Sequence, residues 1–253
     1  DRESIRPFVE FLSAAEASDI AGVEIPHSGI YFPKAGWVNP KALCGQLLQH
    51  PNIHAQLNTH IEQLECELDA DSGQHLWHAR GNQNYQAAYL VIASASHATQ
   101  FPHCNHLPLK PVRGQVTYLP ATENSRALKT AICAEGYIAP AGTSSHCIGA
   151  TFDVKAPFDA HLPQEPTKAG EHLQNLDKIE GPTPALARAL NIQTHRENGD
   201  QLQGRAAFRC TTPDYLPIAG PAPKFEQFLE DYALLRKNAK SSIPRAGDYW
   251  PGL

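Results

Sequence analysis

The sequence predicts an α+β fold that is built mainly on antiparallel sheet, with part of an α/β layer beside it. Three segments of strand length, residues 53–58, 61–68 and 74–79, alternate apolar and polar side chains with a period of two. This pattern is typical of an antiparallel meander that faces solvent on one side. Residues 87–93, AAYLVIA, are apolar at nearly every position, which is typical of a strand covered on both faces.

Local signals place helices around these strands. Ser13 and Glu16 have the spacing of a capping box and Gly22 follows as a stop, so residues 14–21 are predicted to be helical. Asn39-Pro40 pairs an N-cap with a first-turn proline and predicts a helix over 40–49. Further helices are predicted over 167–179, 184–190 and 224–237, further strands over 112–119, 131–140 and 147–152, and a loop over 153–166.

The composition is that of an ordinary soluble protein. Of 253 residues, 19% are charged and the formal net charge is −5, so any polyanionic partner must use a local patch. No apolar run approaches the ~20 residues that cross a bilayer. Six scattered cysteines form no Cys-x-x-Cys pair, which favours free thiols in a reducing compartment. We therefore expect a cytoplasmic protein that does not enter a membrane.

Several familiar features are absent from the sequence. It contains no methionine and begins with Asp1, which leads us to expect a piece of a larger protein. It also contains no Gly-x-Gly-x-x-Gly, no P-loop, no zinc-ligand spacing and no Gly-x-Ser-x-Gly. The nearest approach to a metal cluster, His103-Cys104-Asn105-His106, lacks further ligands at suitable spacing. We interpret it as a polar loop and predict no metal site.

Small residues follow the apolar run, in the order Ser94-Ala95-Ser96-His97. Small side chains after a buried strand let a ligand approach the backbone where open α/β sheets hold their cofactors. A tight loop with small residues for packing explains the same pattern equally well. His97 has the right chemistry for a general base, but it has no visible partner in the sequence and we assign it no role.

The most distinctive segment is residues 204–221, GRAAFRCTTPDYLPIAGP. It predicts an apolar strand that carries Arg209, a polar turn and a second short apolar strand. An arginine at the end of a buried run needs an anion. The anion is either Asp214, in a structural pair, or the carboxylate of a substrate held by the planar guanidinium.

The order of these parts resembles the D-amino-acid oxidase superfamily of FAD enzymes. The resemblance lies in the small-residue turn followed by PVRGQV, GYIAP, CIGATF and the Arg209 segment. Within that superfamily, the segments GIYFPKAGWVNP, RAAFRCTTPDYLPIAG and YALLRKNAK are most similar to the oxidoreductase half of bifunctional enzymes that modify the wobble uridine of tRNA. The resemblance implies FAD as cofactor, near Ser94 and Ala95. It also implies a domain division, with substrate-domain segments at 1–86 and 108–203, an FAD-domain strand and turn at 87–107, and strands returning toward the FAD domain at 204–253.

The resemblance also implies roles for two side chains. Arg209 corresponds to an arginine that clamps a substrate carboxylate, and Tyr137 corresponds to a residue that lines the same pocket. The implied reaction is oxidation of the carbon beside a secondary amine, followed by hydrolysis of the imine and release of a two-carbon acid. By this resemblance the substrate is the carboxymethylaminomethyl group of tRNA wobble uridine, and a covalently linked methyltransferase domain lies outside this chain.

Two other functions remain open. One is a glycine- or sarcosine-type oxidase that acts on a small secondary amine, and the other is an inactive fragment that binds a carboxylate. The final segment is locally basic, through Arg236, Lys237, Lys240 and Arg245. This favours tRNA slightly, although such a face is more often simply solvated.

Overall fold

The computed structural model describes residues 8–159, 165–197, 201–242 and 248–253. These residues form two compact units, one from Asp1–His50 with Val112–Phe208 and the other from Pro51–Pro111 with Arg209–Leu253. The predicted assignment of segments to a substrate domain and an FAD domain stays a prediction.

The described residues contain short helices and mainly antiparallel strands, which confirms the predicted α+β class. The strands are β1 Glu10–Leu12, β2 Gly29–Tyr31, β3 Ile61–Leu68, β4 His75–Gly81, β5 Tyr85–Ala87, β6 Lys110–Pro120, β7 Ile132–Cys133, β8 Tyr137–Ile138, β9 Ser145–Gly149 and β10 Gln203–Thr211. The α-helices are α1 Ala14–Ala21, α2 Pro40–Leu47, α3 Ala169–Glu180, α4 Pro184–Ala189, α5 Ile192–Glu197 and α6 Phe225–Asp231. Every strand pair with a described register is antiparallel.

The first unit is built on a five-stranded sheet in the order β10-β6-β9-β8-β7, with β1 and β2 forming a separate ribbon. Its helix α1 begins and ends where the sequence predicts. The Ser13 side chain accepts from the Glu16 backbone, the Glu16 carboxylate accepts from the Ser13 backbone, and Gly22 takes a left-handed conformation after the last turn.

Helices α3, α4 and α5 cover this sheet and bury the core of the first unit. Leu119, Ile138 and Ile148 from the sheet, Leu176 from α3 and Leu190 directly after α4 have no exposed surface. Each buried aliphatic side chain of this kind stabilises the fold by about 1.5–3 kcal/mol. The sheet and its helices therefore form one continuous apolar layer.

A buried polar layer lies beside this apolar core. Arg113, only 1% exposed, pairs with the carboxylates of Glu165 and Glu171. The Thr151 hydroxyl donates to Glu171 at 2.9 Å. Burial alone would lower the pKa of Arg113, but its hydrogen bonds to Glu165 and Glu171 raise it. Two carboxylates thus stabilise this buried charge inside the unit.

His172 occupies the same layer and is 2% exposed. Its Nδ1 lies 2.7 Å from the Thr117 hydroxyl, while its Nε2 has no hydrogen-bond partner among the described residues. Burial lowers the pKa of His172, although the Glu171 carboxylate opposes the shift. Burial therefore favours the neutral imidazole over the charged one. The ring lies close to Gly204, where an added Cβ would meet Cε1 of His172 at 2.7 Å.

The second unit contains the meander β3-β4-β5. Trp77 of β4 is 1% exposed, and its indole nitrogen donates to the Pro251 carbonyl at 2.7 Å. The last described segment is fastened by backbone bonds from Lys224 to Asp248 and from Trp250 to Ala222, each 2.9 Å long. The Trp77 hydrogen bond and these backbone hydrogen bonds therefore hold the last described segment within this unit.

Three predicted strands are wrong, and the single strand predicted over 131–140 is instead the hairpin of β7 and β8. Residues 53–58 are not a strand, since Asn58 has a left-handed φ of 56° and its carbonyl accepts from the Asn82 side chain. The run 87–93 is assigned as strand only at Ala87. It is not covered on both faces, because Tyr89 and Val91 are 80% and 85% exposed and no described strand pairs with them.

The second strand predicted within 204–221 is the third error. Residues 212–219 form a turn and irregular backbone instead. Pro213 and Pro217 cannot donate to a ladder, and the Tyr215 backbone is left-handed. The predicted helix over 224–237 is interrupted: α6 ends at Asp231 and a 3-10 turn follows at Ala233–Arg236. The loop predicted over 153–166 lies partly outside the described residues, at 160–164.

We expect Gly204→Ala to lower the free energy of unfolding by about 1–3 kcal/mol, since overpacking a close contact has this effect. The new methyl group would meet the Val116 carbonyl at 2.2 Å and the His172 ring. Gly170→Ala is the matched control, because nothing lies within 4 Å of its added Cβ. In helix α3 it should stabilise by up to about 1 kcal/mol. Urea unfolding measures both, and equal effects would contradict the predicted contact.

We also expect stability to fall as the pH drops below about 6.5, the ordinary pKa of an unfolded histidine. Because burial lowers the pKa of His172 in the folded protein, the unfolded chain binds more protons between the two pKa values. The stabilisation is complete above the unfolded pKa and is lost toward the folded one. His172→Gln should therefore show a smaller loss of unfolding free energy between pH 7 and pH 5. Identical slopes in urea titrations at several pH values would contradict this.

Candidate functional site

The second unit contains a cavity of about 460 Å³ around the small-residue turn and the Arg209 segment. Small and apolar side chains line most of it, and two threonines supply hydroxyl groups. The lining residues are Ile92, Ala93, Ala95, Ala98, Leu107, Leu109, Cys210, Thr211, Thr212, Tyr215, Leu216, Pro217 and Ile218. Two sequence segments singled out independently therefore meet at one cavity.

Ala95 lines this cavity and has an unusual backbone conformation. Its φ is 51°, in the left-handed region that L-residues other than glycine rarely adopt. A 3-10 turn, Ala95–Gln100, starts here, and the His97 amide donates to the Ser94 carbonyl at 3.0 Å. The backbone thus turns away immediately after the apolar run, and only a methyl group faces the cavity at Ala95.

Ser94 does not line the same cavity. It lies at a second cavity of the same unit, of about 350 Å³, together with His60, Ile61, Leu90 and His97. The structure therefore separates the two predicted cofactor residues onto neighbouring cavities. Their role in cofactor binding stays a prediction.

Arg209 is exposed, which corrects the expectation that its guanidinium is buried. Strand β10 turns Ala206 inward and Arg205, Ala207 and Arg209 outward, because successive side chains of a strand point to opposite faces. The three residues that follow, Cys210, Thr211 and Thr212, line the cavity. Arg209 thus directly precedes the cavity wall, and its role as a carboxylate clamp stays a prediction.

The turn after β10 is held by its own polar groups. Asp214 accepts from the Leu216 amide at 3.1 Å, and the Thr212 hydroxyl donates to the Leu216 carbonyl at 2.7 Å. The hydrogen bond from the Leu216 backbone, with a further one from Thr212, lowers the pKa of Asp214. The Asp214 carboxylate therefore stabilises the turn.

Tyr137 belongs to the first unit, where it is half-buried on strand β8. It pairs with Cys133 on one side and with Gly149 on the other. Burial raises the pKa of the Cys147 thiol, and a hydrogen bond with Tyr137 opposes the shift. The hairpin thus fixes the Tyr137 ring close to Gly149 and Cys147. The assignment of Tyr137 to a substrate pocket stays a prediction.

The histidines of the His103–His106 loop take part in aromatic packing. His103 meets Trp77 and Trp250 edge to face at 5.2 and 4.7 Å between ring centroids, and His106 stacks on Phe225 at 4.2 Å. Burial lowers the pKa of both imidazoles. Within the described ranges, no three His, Cys, Asp or Glu side chains are grouped so that they could hold a metal ion.

Sequence reasoning missed Tyr215 and the two threonines of the cavity wall. Tyr215 has a left-handed φ of 61° and is 80% exposed. The only sequence signal was its place after Pro213-Asp214, in a turn. A turn pattern predicts backbone geometry but does not show which side chains face a cavity.

A family model described as FAD dependent oxidoreductase (DAO) matches residues 2–237. The chain belongs to this family. The membership confirms the superfamily inferred from the residues. Among the described helices, none is both long enough and apolar enough to span a membrane.

Curated relatives of this FAD dependent oxidoreductase chain are named tRNA 5-methylaminomethyl-2-thiouridine biosynthesis bifunctional protein MnmC. The protein from Pseudomonas putida strain GB-1 is 44% identical over 243 residues, which cover 95% of this chain and 35% of that protein. The protein from Chromobacterium violaceum strain ATCC 12472 is 41% identical over 225 residues, covering 88% and 32%. The chain therefore spans about a third of the length of these relatives.

Two solved structures share the fold of this chain. Glycine oxidase from Geobacillus kaustophilus matches with a TM-score of 0.65 at 22% identity, over 88% of this chain and 56% of that one. Iminodiacetate oxidase from Chelativorans sp. BNC1 matches with a TM-score of 0.60 at 17% identity, over 87% and 56%. At these identities the likeness supports the fold.

We expect Ala95→Gly to stabilise the protein by roughly 0.5–1 kcal/mol. A left-handed L-residue costs about 1–2 kcal/mol, and the added freedom of glycine in the unfolded chain offsets about half of the relief. Ala93→Gly, two residues earlier and without a left-handed φ, should destabilise instead. Changes of opposite sign in the free energy of unfolding, measured with urea, would support a strained turn at Ala95. Destabilisation by both variants would contradict it.

Proposed function

We propose that this chain is the FAD-dependent oxidoreductase part of an enzyme that removes the carboxymethyl group from the carboxymethylaminomethyl side chain of tRNA wobble uridine. The product is the aminomethyl-uridine. The observation that carries the proposal is the 44% identity over 95% of this chain to a protein named for biosynthesis of tRNA 5-methylaminomethyl-2-thiouridine. Family membership supports the oxidoreductase chemistry.

The cavity of the second unit suits one part of FAD. Its volume of about 460 Å³ lies in the range of small-ligand pockets, about 300–1,000 Å³. At Ala95 and Ala98 the wall carries only methyl groups, so a planar ring can approach the backbone there. The phosphates of a dinucleotide commonly bind at a glycine-rich helix start, and this sequence contains no Gly-x-Gly-x-x-Gly. The cavity therefore suits a planar ring of FAD, such as the isoalloxazine, but not its phosphates.

When bound, FAD supplies the redox chemistry by taking up the electrons removed from the carbon beside the secondary amine. The residues of this chain bind and orient the substrate. Arg209 holds its carboxylate through charge-assisted hydrogen bonds, and the apolar wall at Ile92, Leu107 and Ile218 excludes water from the reacting carbon. Hydrolysis of the resulting imine then releases the two-carbon acid.

The tRNA partner is supported by exposed basic residues near the end of the chain. Arg236, Lys237 and Lys240 are exposed and can meet phosphates, while Arg245 lies outside the described residues. The relatives are named bifunctional, and we propose that a linked methyltransferase domain uses the product amine as its substrate. The setting would be the cytoplasm, where tRNA is modified.

The deciding experiment compares two substrates with the full-length protein that carries this chain. One is tRNA bearing carboxymethylaminomethyl-uridine, and the other is free sarcosine or glycine. We expect conversion of the tRNA nucleoside, seen by mass spectrometry of digested tRNA, in a yellow protein with flavin absorbance. Turnover of the free amine with unchanged tRNA would establish a small-amine oxidase instead. A colourless full-length protein without activity on either substrate would contradict the proposal, and carboxylate binding by such a protein would favour the inactive alternative.

Arg209→Ala in the full-length protein should lower kcat/KM for the tRNA substrate roughly 10- to 100-fold, since hydrogen bonds to charged groups contribute about 1.5–3 kcal/mol. Its unfolding free energy should change by less than about 0.5 kcal/mol because the side chain is exposed. Arg205→Ala, an exposed arginine on the same strand face, is the control. Equal kcat/KM in the two variants would contradict a role for Arg209 in holding the substrate carboxylate.

A further inference from the structure

Tyr215 combines a strained backbone with an exposed aromatic side chain. Its φ of 61° is left-handed, which is unfavourable for a residue with a Cβ, and the residue is 80% exposed. Strained residues persist where the surrounding structure determines them, and they concentrate at ligand sites. An exposed aromatic ring gains little from burial, so packing within the unit does not explain the conformation.

Hydrogen bonds on both sides fix the Tyr215 backbone. The Tyr215 amide donates to the Thr212 carbonyl at 3.2 Å. The next residue, Leu216, is bonded through its amide to Asp214 and through its carbonyl to the Thr212 hydroxyl. The ring therefore projects from a fixed turn, and its exposure comes from the geometry of that turn.

The ring lies at the cavity that the proposed function uses. Tyr215 lines it together with Ala95, Thr211, Thr212 and Leu216. A tyrosine ring at such a position offers a flat π face next to hydroxyl groups. Proteins commonly hold unpaired bases by stacking them on aromatic side chains of this kind. A free glycine-type amine has no flat face that could use the ring.

We propose that Tyr215 stacks on the uracil base of the substrate nucleotide, and that this contact selects a tRNA-borne secondary amine over a free one. The inference rests on the proposed function and names a residue that determines its specificity. Arg209 would hold the carboxylate at one end of the substrate, and Tyr215 would hold the base from which the side chain extends.

The test uses the full-length enzyme with tRNA bearing carboxymethylaminomethyl-uridine. Tyr215→Leu should raise KM for this tRNA roughly 10-fold or more, as expected for the loss of one stacked base, with kcat and flavin absorbance close to the wild-type values. Tyr215→Phe keeps the ring and should stay within about 2-fold of wild type. Leu and Phe both carry a Cβ, so the left-handed backbone strain is comparable in the two variants.

Tyr89→Leu is the matched control, because Tyr89 is also 80% exposed in the same unit but is not among the residues that line this cavity. Its KM should equal that of the wild type. An equal KM in Tyr215→Leu and Tyr89→Leu, with wild-type activity on tRNA, would overturn this inference alone. Loss of flavin absorbance in Tyr215→Leu would place the ring on the cofactor and also overturn it. A wild-type enzyme active only on free amines would overturn both this inference and the proposed function.

Discussion

The first unit depends on the ion cluster around Arg113. A guanidinium that is 1% exposed is tolerable only with carboxylates against it, and removing one partner of such a pair typically costs about 3–5 kcal/mol. Glu171 belongs to helix α3, and Glu165 precedes that helix in the chain. The cluster therefore fixes the helix on strand β6, and this placement buries Leu176 under the sheet and His172 beside Thr117.

In the second unit, two residues with unusual backbone conformations help to shape the cavity. Ala95 and Tyr215 both have left-handed φ values and both line the cavity wall. At Ala95 the turn removes bulk from the wall, and at Tyr215 the turn adds an aromatic ring to it. Two strained positions in one wall support the hypothesis of a binding site, because strained residues concentrate at such sites.

Local signals in the sequence predicted the elements that are stabilised locally. Helix α1 has its own capping box, and β3 alternates apolar and polar side chains from Leu64 to Leu68, so both were predicted at their observed bounds. The strand predictions for residues 53–58 and 87–93 were wrong because a strand depends on its partner strand, which sequence periodicity cannot show. Arg209 was expected to be buried because its neighbours are apolar, yet the alternation of β10 turns it outward.

The sequence predicted those candidate site residues whose type indicates their chemistry. It missed those whose role depends on the backbone conformation. An arginine in an apolar segment stands out in a sequence, as do small residues after an apolar run. Tyr215 does not, because its position after Pro213-Asp214 predicts a turn without predicting a left-handed φ or a cavity beside it. In the proposed reaction the electron acceptor is the same whatever the secondary amine, so the proposed specificity depends on residues that contact the remainder of the substrate. Tyr215 is placed at the cavity by a turn, and its recognition required the structure.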